Sequence, residues 1–296
     1  MIDKRKKIGF VGLGLMGSAM AKNLLSAGYS VLGYDINPNQ MEKILKEGGK
    51  TVQAPDEIPA QVDVILLSLP NSYVVNDVVK ASLKLLETGR KGLILIDTTT
   101  ADPILSEALA VQLREKEIEM MDATVSGTST MCAERDIIFM VGGKEEVFNE
   151  CKPIFSALGK DAFFIGKNGA GATIKLIVNL ILGLNRMALA EGLTLGKKAG
   201  INQHRLLEIL KKSAAYSKAM DMKGLRMINK EFLPPEGRIA TYLKDVRLML
   251  DLGNKLNCPI PLISFHAQAL ASEVAKGRGE WDSANIISFY EELANI

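Results

Sequence analysis

From residue 8 to about residue 165 the chain alternates short apolar runs with longer amphipathic stretches, and this rhythm restricts the fold more than any other feature. The runs fall at residues 8–11, 31–34, 64–69, 93–96, 119–121, 137–141 and 162–165. Short continuous apolar runs suit strands covered on both faces, and the helical patterns between most of them supply the crossovers that parallel neighbours require. The predicted class is therefore α/β, a doubly wound and mostly parallel sheet. After Gly166 the runs stop. Helical patterns punctuated by Gly200, Pro234-Pro235, Pro259 and Pro261 follow, which predicts an all-α second domain and a division into residues 1–165 and 166–296. A chain of 296 residues has room for both cores.

The first run passes into "VGLGLMGSAMAKNL", residues 11–24, with glycines at Gly12, Gly14 and Gly17. Between a strand and a helix this spacing has a physical reading. Gly12 lets the chain turn tightly, Gly14 lets the backbone approach a pyrophosphate, and Gly17 lets the helix pack on the sheet. The helix N-terminus then faces the phosphates with unpaired N–H groups. Asp35 ends the second strand, "SVLGYD", 18 residues after Gly17, where a carboxylate hydrogen-bonds the ribose hydroxyls of a Rossmann-type site. The alternative for Asp35 is a polar cap that merely ends the strand. A carboxylate there repels a 2′-phosphate and no arginine follows in "INPNQ", so NAD is expected in preference to NADP.

Lys4 to Lys7 precede this apolar stretch, which raises the possibility of an export signal. Three features oppose it: the glycine spacing, Asp3 within the basic head, and the onward helical pattern of Met20, Leu24 and Leu25. The basic cluster reads as a solvated tail. Residues 172–199 pose a second membrane question, being apolar and free of proline. Lys175, Asn179, Asn185, Arg186 and Glu191 would be costly in lipid, so a long helix buried between domains or subunits is predicted instead. A second domain this small can hardly cover such a helix alone, so a homo-oligomer, dimer or tetramer, is expected.

With 47% apolar residues, 24% charged and a net charge of +2, the chain has no bias towards nucleic acid and suits small partners. Cys132, Cys151 and Cys258 are too far apart for a zinc site and read as reduced, cytoplasmic residues. His204 and His266 stand beside no motif and are expected at surfaces or helix ends. A hydride-transfer enzyme would then need a lysine or acid on the helix joining the domains, and Lys175 fits, after "GKNGAGATI", whose glycines and Asn168 suit a helix start, with Asn179 one turn on along the same face. Burial would bring a lysine down from about 10.4 towards the working range. The alternative is a lysine snorkelling from the first turn of a long helix.

"GFVGLGLMGSAMAKNL", "SLPNS", "LIDTTTADP", "DATVSG", "MVGG", "GAGATIKLIVN", "YLKD" and the late "GRGEWDSA" occur in the order and spacing of the β-hydroxyacid dehydrogenases, which the chain resembles over nearly its whole length. That family includes 3-hydroxyisobutyrate dehydrogenases, tartronate semialdehyde reductases and 6-phosphogluconate dehydrogenases. The resemblance implies that Lys175 exchanges the proton at the substrate oxygen with Asn179 as its partner. It implies that Gly12, Leu15, Met16 and Asp35 hold the adenine half of the cofactor, and that Leu69, Pro70, Val74 and Thr100 line the path to the nicotinamide. Lys244 resembles the lysine that the second domain adds to the cofactor site. Ser126 and Gly127, with Thr128 beside them, match the loop that receives the substrate carboxylate. The implied enzyme is an oxidoreductase acting on a small 3-hydroxy acid, its semialdehyde or oxo acid.

Departures cluster at the substrate. "DATVSGT" replaces the usual "DAPVSGG", putting Thr124 for proline and Thr128 for glycine, which predicts a shifted pocket. Arg135-Asp136 replaces a glycine-threonine pair, Val178 an asparagine and Gly237 an aromatic. A 6-phosphogluconate enzyme is disfavoured, for want of a longer helical domain and a phosphate-binding cluster. An NADPH-dependent glyoxylate or succinic semialdehyde reductase is opposed by Asp35. A dinucleotide-binding sensor without catalysis stays open as the alternative from another class, and a methyltransferase is opposed by the glycine spacing.

Overall fold

A computed structural model describes residues 6–296. The chain divides into two compact units, Met1–Lys175 and Leu176–Ile296, the boundary falling inside one long helix. Among the described residues the first unit holds eight strands, β1 (Lys7–Val11), β2 (Ser30–Tyr34), β3 (Lys50–Thr51), β4 (Val64–Leu67), β5 (Ile94–Asp97), β6 (Glu119–Ser126), β7 (Ile138–Gly142) and β8 (Asp161–Gly166). Its helices are α1 (Leu15–Ser26), α2 (Pro38–Lys46), α3 (Ser72–Asp77), α4 (Leu85–Thr88), α5 (Pro103–Arg114), α6 (Ser129–Ala133) and α7 (Glu145–Leu158). The long helix α8 (Ala170–Lys198) leads into the second unit, with α9 (Gln203–Lys212), α10 (Lys218–Asn229), α11 (Ile239–Lys255), α12 (Pro261–Ala275) and α13 (Ile286–Leu293).

The sheet order is β3-β2-β1-β4-β5-β6-β7-β8, parallel throughout except for the β6–β7 pair. The sequence reason is visible in β4: Val64 and Leu66 enter one hydrophobic cluster, while Ile65 and Leu67 enter the one on the opposite face. Each such fully buried side chain contributes about 1.5–3 kcal/mol. The sheet is covered by α1 and α7 on one face and α5 on the other, which is the doubly wound arrangement the alternating runs predict. The order reverses between β1 and β4, creating the crevice at their carboxyl ends where such folds bind ligands.

The strand boundaries differ from expectation in three places. β3 has only two residues, too short for any periodic signal. β4 ends at Leu67, leaving Leu69 in the loop that follows. β6 extends from Glu119 to Ser126, since its second half pairs antiparallel with β7. At the N-terminus, Lys4 and Arg5 of the expected solvated tail, with Asp3, lie outside the described residues. Lys6 is partly covered: its ammonium pairs with Glu150 and its side chain is 21% exposed, while Lys7 is exposed.

The second unit is helical apart from an isolated bridge between Arg238 and Asp282. Its core gathers Leu176, Leu193, Met227, Leu243, Val246 and Leu270. Gly200 takes a φ of +76 between α8 and α9, and Pro261 opens α12, as the breaker residues predict.

Candidate active site

In the first unit, the candidate residues before α8 gather at one edge of the sheet, beyond the carboxyl ends of β1, β2, β4, β5 and β6. The turn after β1 needs its glycines for separate reasons. Gly12 has a φ of +90, and a Cβ there would lie 2.3 Å from the Ser68 carbonyl oxygen. A Cβ on Gly17 would lie 1.9 Å from the Gly12 carbonyl oxygen, so only glycine lets α1 sit this close to β1. A Cβ on Gly14 would meet nothing within 4 Å, so the backbone there is open to the close approach of a phosphate. Gly14 is also the cap of α1 and offers no side chain, so the amides of Leu15, Met16 and Gly17 point outward without intrahelical acceptors. Leu15 is exposed and Met16 half-buried. Asp35 accepts the Leu13 N–H at 2.6 Å and the Asn37 N–H at 2.8 Å. It therefore ties the glycine turn to the end of β2.

Beyond β4, the Leu69 N–H donates to the Thr99 hydroxyl at 3.1 Å, and the Asn71 side chain caps α3, placing half-buried Val74 in its first turn. Pro70 is exposed and Thr100 half-buried. Beneath this loop pair lies Asp97, which sequence reasoning passed over. Its carboxyl accepts the Thr99 N–H at 3.0 Å, and burial drives it up to about 7 although both Thr99 donors favour the ionised form.

The end of β6 presents Ser126, half-buried, and Gly127, whose φ of +144 and a Cβ position 2.5 Å from Ile137 require glycine. Thr128 has ordinary extended backbone, and its hydroxyl accepts the Met131 N–H at 3.2 Å as the cap of α6. Arg135 adopts a left-handed φ of 60, the geometry that glycine in its place would favour.

The start of α8 corrects one expectation. Asn168 does not begin the helix: it donates to the Met120 carbonyl at 2.7 Å and accepts from Arg114 at 3.0 Å. The cap is Asp122 of β6, which accepts the Gly169 and Ala172 N–H groups at 2.8 and 2.9 Å. A carboxylate 47 residues upstream leaves no local signal. Lys175 follows, half-buried.

In the second unit, Asn179 donates to Asp245 at 3.2 Å, and Lys244 pairs with the other oxygen of that carboxylate at 3.2 Å. Asn179 and Lys244 are thus brought together by Asp245, the last residue of "YLKD", which the sequence reading left without a role. Tyr242 of the same motif donates to the Asn179 carbonyl at 2.8 Å. It reaches that carbonyl past Gly183, where a Cβ would lie 1.7 Å from the phenol oxygen. The Arg186 guanidinium covers the Tyr242 ring at 4.4 Å. His266 is a further correction: it is fully buried in α12 against Tyr242, and burial followed by the Arg186 charge lowers it to about 3. It is a neutral packing residue, whereas His204 is exposed near the start of α9.

A glycine turn shaped for a pyrophosphate at the switch point of a doubly wound sheet, followed by a helical unit, defines the class: a nicotinamide-dinucleotide oxidoreductase of Rossmann type. Residues 7–166 match the family model described as the NAD binding domain of 6-phosphogluconate dehydrogenase. Residues 169–290 match that described as the NAD-binding of NADP-dependent 3-hydroxyisobutyrate dehydrogenase. The chain is 32% identical to the 2-(hydroxymethyl)glutarate dehydrogenase of Eubacterium barkeri, covering 100% of this chain and 98% of that one. It is 31% identical to the 2-hydroxy-3-oxopropionate reductase of Escherichia coli, covering 98% of each. Among solved structures, the 3-hydroxyisobutyrate dehydrogenase of Mycobacterium tuberculosis superposes with a TM-score of 0.88 at 26% identity, covering 96% of this chain and 98% of that one. The chain belongs to the β-hydroxyacid dehydrogenase family.

Proposed function

We propose that this enzyme interconverts a small 3-hydroxy acid and its semialdehyde or oxo acid, with NAD preferred over NADP. The observation that carries the reading is Lys175, on the second turn of a helix whose start is seated on the strand that ends in Ser126, just before Gly127. A bound nicotinamide dinucleotide supplies or accepts the hydride. Lys175 moves the proton at the substrate oxygen: its ammonium donates as an alkoxide develops, and its amine accepts in the reverse direction. Asn179 sits one turn further along the same helix as its partner, and the Lys244 ammonium belongs to the cofactor side. The Ser126 hydroxyl and Gly127 N–H receive the carboxylate without adding a second buried charge. Gly12, Gly14, Leu15, Met16, Gly17 and Asp35 hold the adenine half, and Leu69, Pro70, Val74 and Thr100 line the way to the nicotinamide.

Asp35 supports NAD: its carboxylate repels a 2′-phosphate, and the exposed residues after it, Ile36 and Asn37, bring no cation. The relatives named above, which act on short branched or hydroxylated acids, support the substrate class. A homo-oligomer is proposed because α8 is apolar enough to span a membrane, yet only 33% of its most apolar window is buried in this chain. Arg186, buried against Tyr242 and Ser283, makes a protein partner the better covering than lipid. Unpaired Cys132, Cys151 and Cys258 support a reducing, cytoplasmic setting, and the balanced charge opposes nucleic acid as a partner.

The test is a panel of short 3-hydroxy acids assayed with NAD and NADP in parallel, on the wild type and on Lys175→Ala. Turnover should fall by roughly 10²–10⁴-fold in the variant with NADH affinity unchanged. Normal turnover by the variant would remove the assignment, and equal efficiency with both cofactors would remove the preference.

A further inference from the structure

The helix that carries Lys175 takes its position from β6. The Asp122 carboxylate accepts the Gly169 N–H at one oxygen, 2.8 Å away, and the Ala172 N–H at the other, 2.9 Å away. Two glycines make this approach possible. A Cβ on Gly171 would lie 2.3 Å from the Asp122 carbonyl oxygen and 2.5 Å from that of Met140. A Cβ on Gly142 would lie 2.8 and 2.9 Å from the two carboxylate oxygens. Thr124, two residues along the strand and so on the same face, adds a second tie: its hydroxyl donates to the Gly171 carbonyl at 2.7 Å. By the helix repeat, that carbonyl also accepts the backbone N–H of Lys175, four residues on. The same strand face continues to Ser126. Thr124 stands where the family pattern has proline, which has no hydroxyl, so this second tie is a feature of this chain.

We propose that Asp122 and Thr124 are positioning residues, which together fix the height and rotation of the first two turns of α8 on the sheet and thereby hold the Lys175 amine at the substrate oxygen. The inference rests on the role proposed above for Lys175. It has kinetic consequences because a misplacement of about 1 Å at a reacting group costs up to roughly 10²-fold in rate. Asp122 and Thr124 are buried, 1% and 0% exposed, so their loss is expected to act on kcat and leave binding alone.

The variants are chosen to keep shape. Asp122→Asn turns one acceptor into a donor aimed at amides that cannot accept, Thr124→Val removes the hydroxyl, and Thr124→Ser retains it. In the full-length protein, kcat and KM are measured with the 3-hydroxy acid that the wild type turns over. NADH affinity is measured by fluorescence, and amide hydrogen exchange is followed across residues 169–175. The expected result is a fall in kcat of about tenfold to a hundredfold for Asp122→Asn and about threefold to tenfold for Thr124→Val. KM and NADH affinity should stay within about twofold, Thr124→Ser should restore kcat, and both impaired variants should exchange faster at residues 172–175. Unchanged kcat in the two variants beside an inactive Lys175→Ala overturns the proposal, and so does a loss of NADH binding that matches the loss of kcat. Should Asp122→Asn fail to fold, the Thr124→Val and Thr124→Ser pair decides on the same criteria. Should Lys175→Ala turn over normally, the catalytic reading is what has failed. Hydrogen exchange then decides the seating by itself, and unchanged protection in the variants overturns it.

Discussion

Replacing Asp97 by asparagine should flatten the dependence of stability on pH in the first unit, by an amount that follows from its surroundings. Asp97 is 1% exposed at the end of β5. Burial pushes its carboxyl from 3.8 up to about 7, the Thr99 hydroxyl and N–H opposing the rise and the Asp122 charge adding to it. A carboxyl whose folded value lies above its unfolded value stabilises the fold fully below the unfolded value, and that contribution is lost as pH rises through the folded one. Between pH 5 and pH 8.5 the loss is about 2.5 kcal/mol, a large share of a net stability of roughly 5–15 kcal/mol. Asparagine is neutral throughout, and its carbonyl can still accept the Thr99 N–H. The unfolding free energy of Asp97→Asn relative to wild type should therefore improve by about 2.5 kcal/mol from pH 5 to pH 8.5. The single tryptophan, Trp281, lies in the second unit, so its fluorescence is the wrong probe. Urea titrations followed by far-UV circular dichroism, with hydrogen exchange of the β5 amides, report on the right one. Parallel pH profiles for the two proteins would refute the reasoning.

Gly17→Ala forces a methyl to within 1.9 Å of the Gly12 carbonyl oxygen, so α1 must leave the sheet. Titration with NADH should show affinity weakened by at least about a hundredfold, and a thermal scan a cost of more than about 3 kcal/mol. In the second unit, fully buried Asp282 accepts N–H groups from Ala284 and Glu236 and the Lys223 ammonium at 3.0 Å. Burial opposes its ionisation, but these partners hold the carboxyl below the ordinary range, so its contribution is present above about pH 4 and lost as pH falls below that. Asp282→Asn should cost about 3–5 kcal/mol at pH 7 and progressively less towards pH 3, read by Trp281 fluorescence in urea. Ile181→Glu places a charge on the exposed face of α8, where Ile181 is 54% and Ile177 43% exposed. Light scattering should then show a smaller assembly than the wild type at the same micromolar concentration, and an unchanged mass would count against that face as the contact.

What the sequence made legible was whatever is set by spacing along the chain. Runs covered on both faces read as strands because nearly every side chain in them is apolar, and the 18 residues from Gly17 to Asp35 are the length of one helix and one strand. The parts that stayed hidden depend on partners far apart in sequence. Asp97 looks like the polar end of a strand until it is seen to be wholly covered. His266 sits on a helix with no polar neighbour to mark it, and its burial comes from Tyr242 and Gly183 on two other helices. Asp245 was within a quoted motif, yet its grip on Asn179 spans 66 residues. Thr128 and Arg135 illustrate the converse limit. Their departure from the family pattern was plain, but their local roles were not, because a cap on α6 and a left-handed φ show only in the folded backbone.

Asp97 and Asp122 face each other across the β5–β6 ladder as register partners, both almost fully buried, and the sheet has to decide which of them carries charge. Two like charges on neighbouring strands repel strongly where water is excluded. Asp122 has the better claim. It receives amides from the positive end of a helix, whereas Asp97 has only the two donors of Thr99. Burial raises both carboxyls, and with Asp122 ionised the burden of protonation falls on Asp97. Asp97 therefore titrates in the field of a carboxyl that the start of α8 seats. If so, neutralising Asp122 lowers the pH at which Asp97 ionises. In an Asp122→Asn background, the gain that Asp97→Asn brings between pH 5 and pH 8.5 should shrink, and circular dichroism in urea measures it through a double-mutant cycle. An undiminished gain would mean that Asp97 responds to burial alone and that the helix plays no part in setting its charge.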